Sequence, residues 1–174
     1  MKTVFWVAGV AVALLSGCAS TGDTGAPADT KPASDKMPPV AAAGAPVPAP
    51  DELAPVRDRN SPLFQRSVYF DYDSFVLKPQ YASMLEAHGK FLSSKPKVKI
   101  MIQGHADERG SREYNLALGQ KRAETVKRSL GALGVKDEQV EAVSFGKERP
   151  RDPGHNEEAW AKNRHADIAY PGEY

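Results

Sequence analysis

The sequence predicts an α/β fold of the α+β sandwich type, a mixed sheet with helices packed on it, over residues 63–174. Twelve of the 14 aromatic residues lie from residue 64 onward, so this part of the chain can form a core. Patterns with a period of two residues alternate with patterns of helical period, in the order β-α-β-α-β-α-β. This order in a short segment favours one sheet covered by helices.

Four segments show the strand pattern, in which apolar and polar side chains alternate. In the first, Val68, Phe70 and Tyr72 share one face, as expected of a half-buried strand. In the second, three β-branched residues at 98, 100 and 102 alternate with two lysines and a methionine at 97, 99 and 101. The predicted strands are 67–72, 98–102, 140–145 and 165–170.

Three helices are predicted between these strands, from their helical period. Proline stands in the first turn of one helix and after the last turn of the same helix. Serine and asparagine are placed as N-caps of the other two helices, and glycine follows the last turn of the longest helix. These end residues are Pro79, Pro96, Ser111, Gly134 and Asn156. In the longest helix, 112–133, the predicted buried stripe consists of Leu116, Ala123, Val126, Leu130 and Leu133.

The charge and the cysteine content of the chain exclude several classes of protein. With 23 basic and 22 acidic residues, the chain lacks the strong positive charge of a nucleic-acid-binding protein. Its single cysteine excludes an intrachain disulfide framework and a metal site built from several cysteines. The four histidines show neither an HxxxH nor an HExxH spacing, so no metal site is predicted.

Residues 1–17 predict an export signal. Lys2 precedes an uninterrupted run of 12 apolar or small residues at 4–15, which fits a signal-peptide core and is too short to span a bilayer. The sequence Leu-Ser-Gly-Cys18 follows at once and resembles the lipobox of bacterial lipoproteins. The resemblance implies cleavage before Cys18, a diacylglycerol on its thiol and an acyl chain on its new amino group. The alternative is a small buried core cysteine, and no other cofactor is predicted.

Residues 18–62 predict a disordered, Ala/Pro-rich tether that begins at the lipidated Cys18. Nine of the 14 prolines and none of the aromatic residues lie at 19–62, so this segment has too little apolar surface to offset the entropy of ordering. The run Pro-Val-Pro-Ala-Pro at 46–50 favours extended polyproline II geometry. The alternative is a proline motif that binds a partner, but no clustered aromatic or basic residues give it specificity.

The polar loop 104–110, Gly-His-Ala-Asp-Glu-Arg-Gly, lies between the second strand and the longest helix. It is either a solvated turn or a ligand site, since one histidine and two carboxylates lie between glycines that permit tight backbone paths. Arg122 favours the ligand site. It lies beside the apolar stripe, and no acidic residue stands three or four positions from it. Such an arginine must extend to solvent, find a distant carboxylate or meet a ligand.

Several motifs along the chain carry a family resemblance: 68–73, 104–110, 113–115, 117–119, 122–123, 144–148, 154–155 and 162–164. Together they resemble the OmpA-like peptidoglycan-binding domain, in the form of the peptidoglycan-associated lipoproteins of the Tol–Pal system. The resemblance covers residues 67–170 and the lipobox, and it implies an OmpA-like domain over 63–174. It departs at His165, where the family usually has a second arginine, and at 151–153, where an apolar stretch is usual.

The resemblance implies a ligand, the diaminopimelate of peptidoglycan stem peptides. This amino acid ends in an ammonium and a carboxylate on one carbon, so a neighbouring acid and arginine could bind both. Asp107 and Arg122 match the family's pair, with Asp107 accepting from the ammonium and Arg122 binding the carboxylate. Four further residues are implied in the same groove, although each could instead be structural: Phe70, Asp71, Asn115 and Arg164.

The resemblance also implies a cellular function. The chain is expected to be an outer-membrane lipoprotein whose periplasmic domain binds peptidoglycan noncovalently and supports membrane integrity and invagination at cell division. The implied partners are peptidoglycan, TolB and the other Tol proteins, and no nucleic acid is expected to bind. The chain is expected to have no catalytic residues. Two alternatives stay open: an envelope lipoprotein that acts mainly as a protein adaptor and, more distantly, a periplasmic hydrolase or metal cluster built from His105, Asp107 and Glu108.

Overall fold

The computed structural model describes residues 50–174. The predicted export signal, Cys18 and the tether as far as residue 49 lie outside these residues. The strands are β1 (Ser67–Tyr69), β2 (Ile100–His105), β3 (Val140–Gly146) and β4 (His165–Ala169), and the α-helices are α1 (Ala54–Arg57), α2 (Ala82–Ser94), α3 (Arg112–Ala132) and α4 (Glu157–Asn163). No helix within 50–174 is both long and apolar enough to cross a bilayer.

The four strands form one mixed sheet in the order β1-β4-β2-β3. β4 pairs antiparallel with both β1 and β2, whereas β2 and β3 are parallel. The parallel pair is joined through α3, as a crossover between parallel strands requires. From Ser67 onward the order β-α-β-α-β-α-β and the mixed sheet predicted from the sequence are both confirmed.

The core lies between one face of the sheet and the helices α2 and α3. Because successive side chains of a strand point to opposite faces, each strand sends one set of residues into this core. The fully buried sheet residues on this face are Val68, Ile100, Ile102, Ala166 and Ile168, and the helices contribute Leu85, Leu92, Val126 and Leu130. The opposite face carries Tyr69, His105, His165 and Asp167.

The packed region begins earlier than the boundary predicted at residue 63. A 3₁₀ turn at Pro50–Leu53 leads into α1, and Leu53 and Val56 join the hydrophobic core with 2% and 1% exposure. These two apolar side chains were assigned to the tether because they are isolated among prolines and charged residues. The part of the predicted tether at 50–62 is therefore not a disordered spacer, because its scattered apolar residues have a place in the core.

The first strand is shorter than predicted, ending at Tyr69 rather than at residue 72. The chain turns shortly afterwards at Asp73, a non-glycine residue with a φ of 52°. Tyr72, which continues the alternating pattern, is instead 62% exposed. The periodic pattern was read past the end of the strand because an exposed aromatic side chain looks the same as a buried one in sequence.

The long helix begins and ends as predicted, but its buried stripe differs. Ser111 accepts a hydrogen bond from Tyr114 N at 3.1 Å, which caps the first turn, and Gly134 follows the helix with a φ of 90°. Leu116 and Leu133, assigned to the stripe, are 46% and 39% exposed. The buried face runs instead through a set that includes polar and small residues and so gave no apolar signal: Asn115, Leu118, Gly119, Arg122, Ala123, Val126 and Leu130.

Two glycines let α3 approach the sheet through its backbone. A Cβ atom on Gly104 of β2 would lie 1.9 Å from the carbonyl oxygen of Gly119, and one on Gly119 would lie 2.3 Å from Ser144 Oγ. Neither position has room for a side chain without movement of its neighbours. The close approach places the next residues of α3, including Arg122, against the end of β2.

Candidate ligand-binding site

A cavity of about 160 Å³ lies beside the loop that joins β2 to α3. Three of the predicted site residues, Asp107, Asn115 and Arg122, line it. The remaining lining residues come from the turn after β1, the loop and the first turns of α3: Tyr72, Asp73, Arg109, Gly110, Tyr114 and Leu118. A small cavity with a buried carboxylate and a buried guanidinium suits a ligand that carries both charges.

Asp107 is a buried anion, with 4% of its surface exposed. Arg109 donates to Oδ1 from its backbone N and its Nε at 3.1 Å each, and to Oδ2 from Nη2 at 2.7 Å. Arg164 Nη1 donates to Oδ2 at 3.3 Å. Burial opposes ionisation, but the hydrogen bonds from Arg109 and Arg164 outweigh it and lower the pKa of Asp107. The carboxylate is therefore ionised and preorganised at neutral pH.

Arg122 is fully buried, at 0% exposure, and it is held by carbonyl groups rather than by carboxylates. Its Nε donates to Ser74 O at 2.8 Å, Nη1 to His105 O at 2.7 Å and Nη2 to Asp71 O at 3.2 Å. Burial lowers the pKa of Arg122 to about 10, so it stays charged at neutral pH. A guanidinium has five N–H donors, and these three bonds use three of them.

These bonds correct one expectation about Arg122. The sequence left three outcomes for this arginine, namely extension to solvent, a distant carboxylate or a ligand, and backbone carbonyls of other segments were not among them. Arg122 instead connects three segments: the turn after β1, the end of β2 and α3. It is at once a cavity residue and a structural one, so its loss will affect binding and stability together.

The other four predicted residues take different positions around the cavity. Asn115 is buried and donates from Nδ2 to Arg109 O at 2.8 Å, which fixes the loop. Arg164 lies behind Asp107, and its Nε donates to Phe70 O at 3.2 Å. The Phe70 ring is a core residue lying under the Arg122 guanidinium, 5.2 Å from ring centroid to Cζ. Neither Arg164 nor Phe70 lines the cavity.

Asp71 contributes its backbone rather than its side chain. Its carbonyl accepts from Arg122, whereas its carboxylate is 73% exposed and pairs with Lys78 Nζ at 2.6 Å. The carboxylate is not part of the cavity lining. The structure therefore brings Asp107, Asn115 and Arg122 together and leaves the Asp71 side chain outside.

Arg109 is the main cavity residue that the sequence did not single out. Its guanidinium lies between two aromatic rings, with Cζ 4.1 Å from the ring centroids of both Tyr72 and Trp160. It also pairs with Glu157 at 3.6 Å. The available signal was its position two residues after Asp107. In a tight loop, a residue at i+2 can donate hydrogen bonds from both its backbone and its side chain to the carboxylate at i.

The three residues of the hydrolase alternative do not form one cluster. Asp107 faces the arginines, whereas His105 stacks on His165 on the opposite sheet face, with ring centroids 4.3 Å apart. Glu108 accepts from Trp160 Nε1 at 2.8 Å and from His155 Nδ1 at 2.7 Å, and these hydrogen bonds lower its pKa. The geometry therefore does not assemble the proposed acid–base group.

A second polar group lies on the opposite face of the sheet. A ring nitrogen of His105, a ring nitrogen of His165 and an oxygen of Asp167 all lie within 4.8 Å of one another. Spacing along the chain could not predict this group, because His105 is far from the other two residues and only the pairing of β2 with β4 brings them together.

The chain matches the model of the OmpA family over residues 69–164. It is 47% identical over 104 residues to the peptidoglycan-associated lipoprotein of Pasteurella multocida, covering 60% of this chain and 69% of that one. It is 48% identical over 100 residues to the protein of that name from Pseudomonas aeruginosa, covering 58% and 59% of the two chains.

Solved structures give the same result. The crystal structure of the peptidoglycan-associated lipoprotein from Burkholderia pseudomallei is 58% identical, with a TM-score of 0.66 over 67% of this chain and 98% of that one. The C-terminal domain of Helicobacter pylori MotB shares the fold, with a TM-score of 0.55 at 24% identity over 59% of this chain and 81% of that one. The sheet order, the cavity-forming loop and these matches agree: the chain belongs to the OmpA family, and within it is similar to the peptidoglycan-associated lipoproteins.

Proposed function

We propose that this chain is an outer-membrane lipoprotein that binds peptidoglycan noncovalently through diaminopimelate and so connects the outer membrane to the cell wall. The observation that carries the proposal is the cavity with opposite buried charges on Asp107 and Arg122. Relatives at 47% and 48% identity that are named peptidoglycan-associated lipoproteins support it. No covalent chemistry is required of the cavity.

The hydrogen bonds of Asp107 decide which protein group a ligand ammonium must displace. A carboxylate has about four acceptor sites, and Arg109 and Arg164 donate four hydrogen bonds to it. An incoming ammonium must therefore replace at least one of these donors. The Arg109 side chain is 30% exposed and that of Arg164 is 7% exposed, so Arg109 is the group that moves.

The first test changes the ligand and leaves the protein intact. The full-length chain in detergent is mixed with purified sacculi whose stem peptides carry either diaminopimelate or lysine. Lysine lacks the distal carboxylate, so the Arg122 interaction is lost, at a cost of about 2–5 kcal/mol when a buried charge is left unpaired. Equal binding to both sacculi would refute recognition of diaminopimelate.

The second test changes Asp107 and uses a neighbouring acid as the matched control. Asp107→Asn keeps the shape of the side chain but removes the charge, and it should abolish most binding to diaminopimelate sacculi. Asp71→Asn removes an exposed carboxylate that lies outside the cavity and should leave binding unchanged. Thermal melts of both variants must accompany the assay. If folded Asp107→Asn binds as the parent does, Asp107 is not part of the site.

The membrane anchor is a separate element of the proposal. It rests on the lipobox and on the signal-like run before Cys18, since two or more acyl chains give stable membrane attachment whereas one does not. Cys18→Ala should leave the protein in the soluble fraction or uncleaved. If this variant still sediments with outer membrane after the wall has been digested, Cys18 is not the anchor.

We also propose that the chain acts in the Tol–Pal system and therefore binds protein partners, of which TolB is the main one. Exposed apolar side chains surround the cavity mouth and the turn before it, with Tyr72 62%, Val76 69% and Tyr114 51% exposed, and such a patch suits a protein partner. TolB is therefore expected to compete with sacculi for the full-length chain. TolB binding without any sacculus binding would favour the adaptor function over wall anchoring.

A further inference from the structure

We propose that His105, His165 and Asp167 form a binding site for a divalent transition-metal ion of the Zn²⁺ class. Gly104 pairs with Ala166 in the β2–β4 ladder, so the two histidines that flank this pair emerge on the same sheet face. Asp167 stands two residues beyond His165 on the same strand and therefore on the same side. Two imidazoles and one carboxylate, within 4.8 Å of one another, are a donor set that Zn²⁺ accepts.

The hydrogen bonds of His165 leave a lone pair directed at an anion. Its Nδ1 lies 3.0 Å from Asn163 O, and a carbonyl can only accept, so Nδ1 carries a proton. In the neutral ring Nε2 is then an acceptor, and it lies 3.4 Å from Asp167 Oδ2. Two acceptors facing each other are compensated either by a proton on Nε2 or by a metal ion between them. A histidine that donates its other N–H to a backbone carbonyl is also the usual arrangement of a metal ligand.

His105 is buried, with 6% exposure, and its Nδ1 has no hydrogen-bond partner within the described part of the chain. A metal ion binds the neutral form of the ring, through a nitrogen lone pair. A buried nitrogen without a partner is costly, and a ligand that engaged the ring would compensate for it.

Asp167 is held in place by groups that also limit the affinity. Ser67 Oγ donates to Oδ1 at 2.6 Å and Arg151 Nη2 to Oδ2 at 2.5 Å. Arg151 now supplies the positive charge beside the carboxylate, so it competes with any metal ion bound there.

Metal binding must turn the two imidazoles out of their stack. The planes of the His105 and His165 rings are 11° apart, whereas a metal ion lies in the plane of each ring that binds it. Zn²⁺ also holds nitrogen at about 2.0–2.1 Å, so the three ligand atoms must move slightly closer together. The side chain of Asp167 is 25% exposed and gives an ion access to the group.

The test is equilibrium dialysis of the full-length chain in detergent against Zn²⁺ at neutral pH, after removal of metal by a chelator. All samples carry Cys18→Ser so that the thiol contributes no ligand. One ion should bind per chain. His105→Gln and His165→Gln should each weaken binding by more than about tenfold, the lower end of the effect of an outer-shell change. Co²⁺ in the unaltered site should give the visible absorption of a tetrahedral complex.

A matched control separates this site from the protein surface. His155 is another histidine beside a carboxylate, 2.7 Å from Glu108 and 80% exposed, and His155→Gln should leave the affinity unchanged. Loss of binding in this control, or unchanged binding in His165→Gln, overturns the proposal, as does the absence of stoichiometric Zn²⁺ from the unaltered chain. Arg151→Gln removes the competing cation and should tighten binding. An unchanged affinity in this variant, which keeps all three ligands, also overturns it.

Discussion

Buried polar groups on the two faces of the sheet differ in how completely they are hydrogen-bonded. On the helix-covered side each such group has its partners: Arg122 binds three carbonyls, and Gln139 Nε2 lies 3.0–3.1 Å from three others. His88 has Tyr170 Oη at 2.8 Å on one nitrogen and Gln65 O at 2.9 Å on the other. These networks connect separate segments, and complete networks of this kind rigidify a core.

The opposite face holds groups of similar burial whose bonding is incomplete. Among residues 50–174, His105 keeps a nitrogen without a hydrogen-bond partner, and His165 Nε2 lies 3.4 Å from Asp167 Oδ2. A satisfied group costs little and serves the fold, whereas an unsatisfied one costs free energy that a ligand can recover. The difference indicates that burial of a polar side chain does not by itself identify a ligand site. An unpartnered nitrogen, as on His105, is a separate indication that complements a cavity lined by opposite charges.

Replacing Arg122 should produce the largest effect on the satisfied side. Arg122→Ala leaves three carbonyls without partners, at about 1–3 kcal/mol each. We expect the free energy of unfolding to fall by on the order of 4 kcal/mol, measured by urea denaturation. Arg128→Ala, on the exposed side of the same helix, should change it by no more than about 0.5 kcal/mol. Similar values for the two variants would contradict a structural role for Arg122.

A smaller effect should show how far the core extends toward the N-terminus. Leu53→Ala removes a side chain with 2% exposure and should lower the free energy of unfolding by about 3 kcal/mol. Leu133→Ala, at a leucine that is 39% exposed, is the matched control and should cost clearly less. If Leu53→Ala costs no more than the control, the segment before residue 63 belongs to the tether after all.

The smallest expected effect is the contribution of His88 to the pH dependence of stability. Burial is the main cause that lowers the pKa of His88 below the ordinary value for histidine, about 6.5, so the unfolded chain takes up this proton before the folded one does. Stability should therefore fall as pH decreases from about 6.5 and level off below the folded pKa. His88→Gln should flatten this part of the stability–pH curve. A curve unchanged by the substitution would show that His88 does not set it.

The sequence was sufficient for the order of elements because periodic patterns, caps and glycines are local signals. Ser111 and Gly134 mark the ends of α3 as expected. Leu53 and Val56 were missed because one or two isolated apolar residues give no period, and only tertiary packing buries them. Tyr72 was misassigned for the opposite reason, since it continues a pattern after the strand has ended.

The candidate site was predicted in part. The family resemblance singled out Asp107, Asn115 and Arg122, and all three line the cavity. The resemblance could not show that Arg109 already occupies the Asp107 carboxylate, because that depends on side-chain conformation. Nor could spacing along the chain bring His105 to His165, because their contact depends on which strands are neighbours in the sheet.

The contact between Gly104 and Gly119 has a consequence for how this domain can vary. A methyl group at Gly104 would lie 1.9 Å from the Gly119 carbonyl oxygen, so even alanine would force helix and strand apart. Arg122, one turn further along α3, reaches His105 O at 2.7 Å, and such a hydrogen bond weakens when its length increases. A substitution at Gly104 or Gly119 would therefore lengthen the hydrogen bond between Arg122 and His105. Such a substitution would change the position of the Arg122 charge in the cavity although the new side chain carries no charge.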